Sequence, residues 1–313
     1  MRNLISIAAF ALGACSQDAP AADEPAGATD STDEAAASPA NATPTPGEIL
    51  ANAAPSEWRT IEPENTLYFE LASGRVVIEL SPQLAPNHVA QVKALAREGF
   101  YDGLSFYRVI EGFVAQGGDP FEAREIKSAK ESLQAEFDEP MRDDIRFTPI
   151  KDADGYASGQ VGYIDTIPSA VSADGETVWH LHCTGAFAFG RNNERDSAST
   201  EFYITMQPQR YLDRNLSVFG RVIAGMEHIH ALRRVAPPES EDDDIGETII
   251  SVKVAADVPA EDRSDYQVLD SASPSFARYV ESRRNRPSEF FYFRPDYVDV
   301  CQLPMPIREK SAE

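Results

Sequence analysis

The sequence predicts a mainly β fold, a closed antiparallel barrel plugged by two helices and followed by a C-terminal extension. Three observations predict it. Short strand-like runs recur between residues 66 and 254, and helical periodicity is confined to one segment near each end of that stretch. A turn triplet, Ala72-Ser73-Gly74, folds the first two runs into a hairpin. Residues 66–71 alternate polar and apolar, and 75–80 form the second, apolar-rich arm. Pro86 then opens a helix with Val89, Val92, Leu95 and Ala96 on one face, and Gly99 is its natural stop. Strand signals recur at 106–110, 113–116, 185–189, 201–205 and 218–222. A second amphipathic helix covers 225–234 through Met226 and Ile229, with Leu232 or Arg233 near the turn repeat, and 249–254 reads as a closing strand. Two portions do not fit a minimal barrel. Residues 121–182 form a long, charged insertion. The extension from 256 to 313 has its own helix candidate at 275–284 and an aromatic cluster at 290–293. No internal repeat is visible.

With 313 residues, the chain can build one large domain with extensions. It carries 51 acidic against 28 basic residues, a net charge of −23, which argues against nucleic acid and anionic membrane surfaces as partners. The first residues read MRNLISIAAFALGACS. Arg2 is a short positive n-region, and 4–12 is an apolar run too short to span a bilayer. Leu12-Gly13-Ala14-Cys15 resembles a bacterial lipobox, in which the thiol is acylated and becomes the mature N-terminus. Cleavage of an ordinary secretory signal after a small residue is the other reading. Ser16 is consistent with outer-membrane sorting. The Ala-, Pro- and acid-rich stretch that follows buries too little apolar surface to offset chain entropy, so it is expected to be a disordered tether.

The most informative segment is 99–120, GFYDGLSFYRVIEGFVAQGGDP, rich in aromatics and glycines around one central cation, Arg108. It resembles the signature segment of the cyclophilins, the peptidyl-prolyl cis/trans isomerases. The resemblance implies an eight-stranded barrel and no cofactor. It places the family's catalytic Arg, Phe and Gln at Arg108, Phe113 and Gln116, with Val114 replacing a common Met on the pocket wall. Rotation about a prolyl bond meets a barrier of about 18–20 kcal/mol, because resonance gives the C–N bond double-bond character. Nothing covalent is made or broken. A fixed guanidinium beside a greasy pocket suits the task, since it can favour the twisted state over either planar one.

Similarity continues over roughly 67–235 with less fidelity. Gly190 and Arg191 stand where Ala and Asn are usual. In 199–204, Glu201 replaces Gln and Tyr203 replaces a pocket Phe. Tyr211-Leu212-Asp213 matches Trp-Leu-Asp, and Leu216 stands where His is frequent. Gly190, Arg191, Glu201, Tyr203, Tyr211, Leu212 and Leu216, with Val114, are therefore the expected substrate contacts. Glu201 and Tyr203 are expected to make the pocket more polar, and Glu201 to pair with Arg108 and dampen it. Tyr211 lacks the indole donor of Trp, on which cyclosporin relies in family members. Weak cyclosporin binding is expected, and nanomolar inhibition of the purified domain would contradict it.

If Cys15 is acylated, Cys183 and Cys301 remain, an even pair in an oxidising compartment. A disulfide between them would pin the extension onto the barrel; two buried free thiols are the alternative. His180 with His182 and His228 with His230 could share a face, but no matching ligand lies nearby, so no metal is expected. The acidic block 239–244 lacks the Gly and spacing of a calcium loop.

The expected organisation is a signal peptide at 1–14 and a tether at 15–57. The barrel domain covers 58–255 with its insertion at 121–182, and the extension 256–313 packs on the barrel. The expected activity is prolyl isomerisation of unfolded or exported polypeptides by a monomer facing the periplasm and held to the membrane by its N-terminal lipid. Without acylation of Cys15 it is a secreted periplasmic protein. The second reading is a peptide-binding chaperone or scaffold with little turnover.

Overall fold

The computed structural model describes residues 44–240 and 243–310. The signal segment, Cys15 and the tether as far as residue 43 lie outside the described residues. Eight strands, β1 (Thr66–Leu71), β2 (Gly74–Leu80), β3 (Ser105–Val109), β4 (Val114–Gly118), β5 (Ala186–Phe189), β6 (Phe202–Thr205), β7 (Val218–Ala224) and β8 (Glu247–Val254), close an antiparallel barrel. Their order is β5-β6-β4-β3-β8-β1-β2-β7, and β7 pairs back to β5.

Alternation along each strand explains the closure. Leu67, Phe69 and Leu71 of β1, and Val76, Ile78 and Leu80 of β2, point into one core with Phe106, Phe187, Phe189, Phe202 and Phe219. Phe187 and Phe219 meet with ring centroids 4.9 Å apart and nearly edge-on, as the ring quadrupoles prefer. Each fully buried Phe contributes about 1.5–3 kcal/mol. Besides α1 (Pro46–Ala51), the helices are α2 (Pro86–Arg97), α3 (Met226–Ala231) and α4 (Pro274–Arg284). Val89, Val92, Leu95 and Ala96 of α2 and Ile229 of α3 join the barrel core.

The opposite face of the β1–β2 hairpin is buried as well. Tyr68 and Val77 enter a second core with Ile49, Trp58, Tyr163, Trp179, Phe276, Tyr279 and Val300. Three parts of the chain build this outer layer. The insertion forms a five-stranded sheet in the order Glu139–Pro140, Thr177–His180, Ile167–Val171, Gln160–Ile164, Phe147–Ile150. The extension supplies α4 and, with Trp58–Thr60, a three-stranded sheet centred on Tyr266–Leu269. The third part is α1.

That helix corrects the expected tether, whose last residues are folded. Thr45 and Glu48 form a reciprocal capping box, Pro46 occupies the first turn, and Ile49 is buried. Cys183 and Cys301 are disulfide-bonded, their Cα atoms 4.8 Å apart. Nearby, Tyr163 donates its hydroxyl to the carbonyls of Val300 (3.0 Å) and Leu303 (2.9 Å). Arg284, with a side chain 1% exposed, pairs with Asp152 at 2.7 Å. Among the described residues, no helix is long and apolar enough to cross a membrane.

Candidate active site

Antiparallel pairing of β3 with β4 puts Arg108 opposite Gln116. The register shifts between Ser105 and Arg108. Successive residues of a regular strand point to opposite faces, yet Tyr107 and Arg108 both line one groove. A bulge re-aims side chains in this way. Arg108 Nη1 donates to Gln116 Oε1 at 3.0 Å, and Gln116 Nε2 donates to the Tyr107 hydroxyl at 2.6 Å. The Arg108 guanidinium carbon lies 5.3 Å from the centre of the Phe113 ring, within cation–π range.

Beneath this polar edge is an apolar pocket. Phe113, Val114, Tyr203 and Leu216 pack with Ile167, Ala186, Ala188 and Val218. Ile167 comes from the insertion, so the extra sheet buttresses the pocket from behind. The Tyr203 hydroxyl is hydrogen-bonded to His182 Nε2 at 2.8 Å, and the two rings are stacked at 12°. His182 Nδ1 lies 3.1 Å from Asp213 Oδ1, and Asp213 Oδ2 accepts from Arg210 Nε at 2.6 Å. Arg210 in turn grips Asp154 with two bonds of 2.8 and 2.9 Å. The expected polar wall is therefore corrected at Tyr203: its hydroxyl is spent on His182, and the ring remains as apolar surface.

Glu201 differs from expectation too. Among the described residues Arg108 has no ion-pair partner, and Glu201 turns the other way. Its Oε1 accepts the Asp119 backbone N–H at 2.6 Å, beside the Tyr107 hydroxyl. Gly118, at φ 141°, leaves the space that this carboxyl occupies. Burial pushes Glu201 up to about 7, against the neighbouring Tyr107 hydroxyl and the Asp119 backbone N–H, which pull it down.

Gly190, Arg191, Leu212 and Leu216 also line the groove, whereas Tyr211 does not and is 59% exposed. Arg191 is occupied with backbone carbonyls, those of Asn215 at 2.9 Å and Asn192 at 2.7 Å. The groove, of about 1110 Å³, extends past the expected residues to Glu122, Ile126, Ser132 and Pro237. His180 lies between the hydroxyls of Ser81 (2.9 Å) and Ser169 (2.8 Å), and burial holds it down to about 3.

A family model described as cyclophilin type peptidyl-prolyl cis-trans isomerase/CLD matches residues 66–254. The chain belongs to the cyclophilins. It is a peptidyl-prolyl cis-trans isomerase built on the family's eight-stranded barrel. A probable peptidyl-prolyl cis-trans isomerase of Brucella suis is 31% identical over 196 residues, covering 63% of this chain and 85% of the relative. Peptidyl-prolyl cis-trans isomerase B of Bacillus subtilis is 32% identical over 163 residues, covering 52% and 86%. The crystal structure of cyclophilin AquaCyp293 from Hirschia baltica superposes with a TM-score of 0.67 at 30% identity, covering 85% of this chain and 98% of that one. That superposition reaches beyond residues 66–254, so part of this cyclophilin's additional layer has a counterpart there.

Sequence reasoning missed two side chains behind the site. Tyr107 was visible inside the signature segment, directly before Arg108. His182 carried no local signal, because its partner Tyr203 lies 21 positions away across the end of the insertion.

Proposed function

We propose that Arg108 catalyses the isomerisation by donating a hydrogen bond to the prolyl nitrogen in the twisted state, with exported, unfolded polypeptides as clients. In the planar amide the nitrogen lone pair is delocalised and accepts poorly. On twisting it localises, and a nearby guanidinium then binds the transition state better than either ground state. Gln116 holds that guanidinium at 3.0 Å, and Phe113, Val114, Tyr203 and Leu216 offer the proline ring an apolar seat. The observation that carries this reading is that, among the described residues, Arg108 has no acidic partner beside that pocket. A charged donor keeps its full strength only when no carboxylate claims it. The family resemblance supports the role of Gln116 in binding the substrate backbone.

Export is supported by the Cys183–Cys301 bond, which persists in oxidising compartments, and by the lipobox-like Leu12-Gly13-Ala14-Cys15. Both favour a periplasm-facing enzyme held by a lipid on Cys15. A protease-coupled assay on a proline tetrapeptide tests the catalytic proposal. Arg108→Ala is expected to cut kcat/KM by about 10²–10³-fold, the loss typical for one preorganised donor. An unchanged rate would remove Arg108 from the mechanism.

A further inference from the structure

Tyr107 and Glu201, the latter where the family pattern has Gln, are neighbours beside the Arg108–Gln116 pair. Gln116 serves Arg108 only in one orientation. Its carbonyl oxygen must face the guanidinium, since the flipped amide would set donors against donors. The acceptor that fixes this orientation is the Tyr107 hydroxyl, 2.6 Å from Gln116 Nε2. A tyrosine that accepts still has its own proton to give. Next to it is the Glu201 carboxyl, whose Oε2 is buried with no hydrogen-bond partner. Its Oε1 is already engaged by the Asp119 N–H and, at 3.4 Å, by the Thr200 hydroxyl. A hydroxyl with a spare proton beside an open carboxylate oxygen can extend the Arg108–Gln116–Tyr107 series to Glu201. Each donor polarises the next, and an anion terminates the series.

We infer that Tyr107 and Glu201 are a positioning pair: the ionised Glu201 carboxylate orients Tyr107, which orients Gln116, which holds Arg108 in place, so that isomerisation falls as Glu201 takes up a proton. The inference rests on the role proposed above for Arg108. The titratable groups that act on or feel Glu201 are Tyr107 on β3, Asp119 after β4, and Tyr101 before β3. Burial raises both tyrosines above their ordinary range, so they stay protonated throughout. Burial also brings Glu201 to about 7. The required form is the anion, so activity is present above that pH and lost below it. A group at about 7 is about nine-tenths ionised at pH 8 and about one-tenth at pH 6.

Two measurements on the same protein test this. The first is kcat/KM for a proline tetrapeptide between about pH 5.5 and 8.5, read without protease from NMR exchange between cis and trans peptide. The second is the pH titration of the Gln116 side-chain amide by 1H–15N NMR. Wild type is expected to lose about tenfold in rate from pH 8 to pH 6, and the Gln116 amide to titrate with the same midpoint. Glu201→Gln can still accept from Tyr107 but cannot titrate, and both its profiles are expected to be flat. Tyr107→Phe is expected to lower kcat more than it changes KM, and to uncouple the Gln116 amide from pH. A flat wild-type rate profile, or a Glu201→Gln variant that keeps the acidic limb, overturns the inference while leaving Arg108 its role. If wild type fails to accelerate the peptide at any pH, the Arg108 reading falls. The amide titration then decides the positioning chain by itself, a pH-independent Gln116 amide overturning it.

Discussion

Among the described residues Arg108 has no carboxylate partner, and its one side-chain hydrogen bond is to Gln116. Glu201 is bound to the Asp119 backbone, beside Tyr107. Sequence placed Glu201 close to Arg108 and paired them, since opposite charges nearby attract. The pairing fails because the backbone N–H at Asp119 and the space over Gly118 claim the carboxyl first. Arg108, Phe113 and Gln116 were legible together because one hairpin carries all three, within nine consecutive residues. Tyr203 was legible as a pocket residue but not in its orientation, which His182 and Asp213 set from distant segments. This gives a test at the same scale. Tyr203→Phe should leave the peptide KM within about twofold, because the ring stays, and should lower stability by about 1–3 kcal/mol by stranding buried His182 Nε2. Urea unfolding and steady-state kinetics on the same sample check both parts. A several-fold change in KM with unaltered stability would mean that the hydroxyl faces the substrate.

At the scale of elements, the barrel strands and α2 were readable because their apolar spacing matches their periods. The outer layer was harder. Tyr68 and Val77 sit on the face that a simple hairpin would give to water, and nothing local says that a second core covers them. Yet α1 did leave a signal. Thr45-Pro46-Gly47-Glu48 is a capping-box sequence with Pro in the first turn. The surrounding Ala- and Pro-rich composition concealed it, and a helix of 6 residues shows little periodicity. The Cys183–Cys301 bond ties the end of the insertion to the extension across 118 positions. Closing a loop of that length is worth about 4–5 kcal/mol in the chain-entropy account. Cys301→Ser should therefore lower stability by roughly that amount, and limited proteolysis should then cut the extension before the barrel. Equal protease resistance in the variant and wild type would show that the outer core holds without its crosslink.

For the molecule as a whole, the barrel core is backed by a second core that the insertion, the extension and α1 build over Tyr68 and Val77. Charge belongs to this scale as well. A net charge of −23 disfavours direct adsorption to anionic lipid, so the attachment proposed above would rest on the covalent lipid at Cys15. Cys15→Ser should move the protein from the membrane fraction to the soluble periplasmic fraction and abolish incorporation of labelled fatty acid. Retention of label in the variant would place the modification elsewhere.

The proposed catalysis centres on the Arg108 guanidinium, held by Gln116 beside an apolar pocket. The most direct test separates binding from turnover in Arg108→Ala. Peptide affinity and cis/trans exchange are measured together by NMR on the full chain. Peptide affinity is expected within about threefold of wild type, with exchange slowed by about 10²-fold or more. Exchange at the wild-type rate with affinity intact would contradict the role proposed for Arg108.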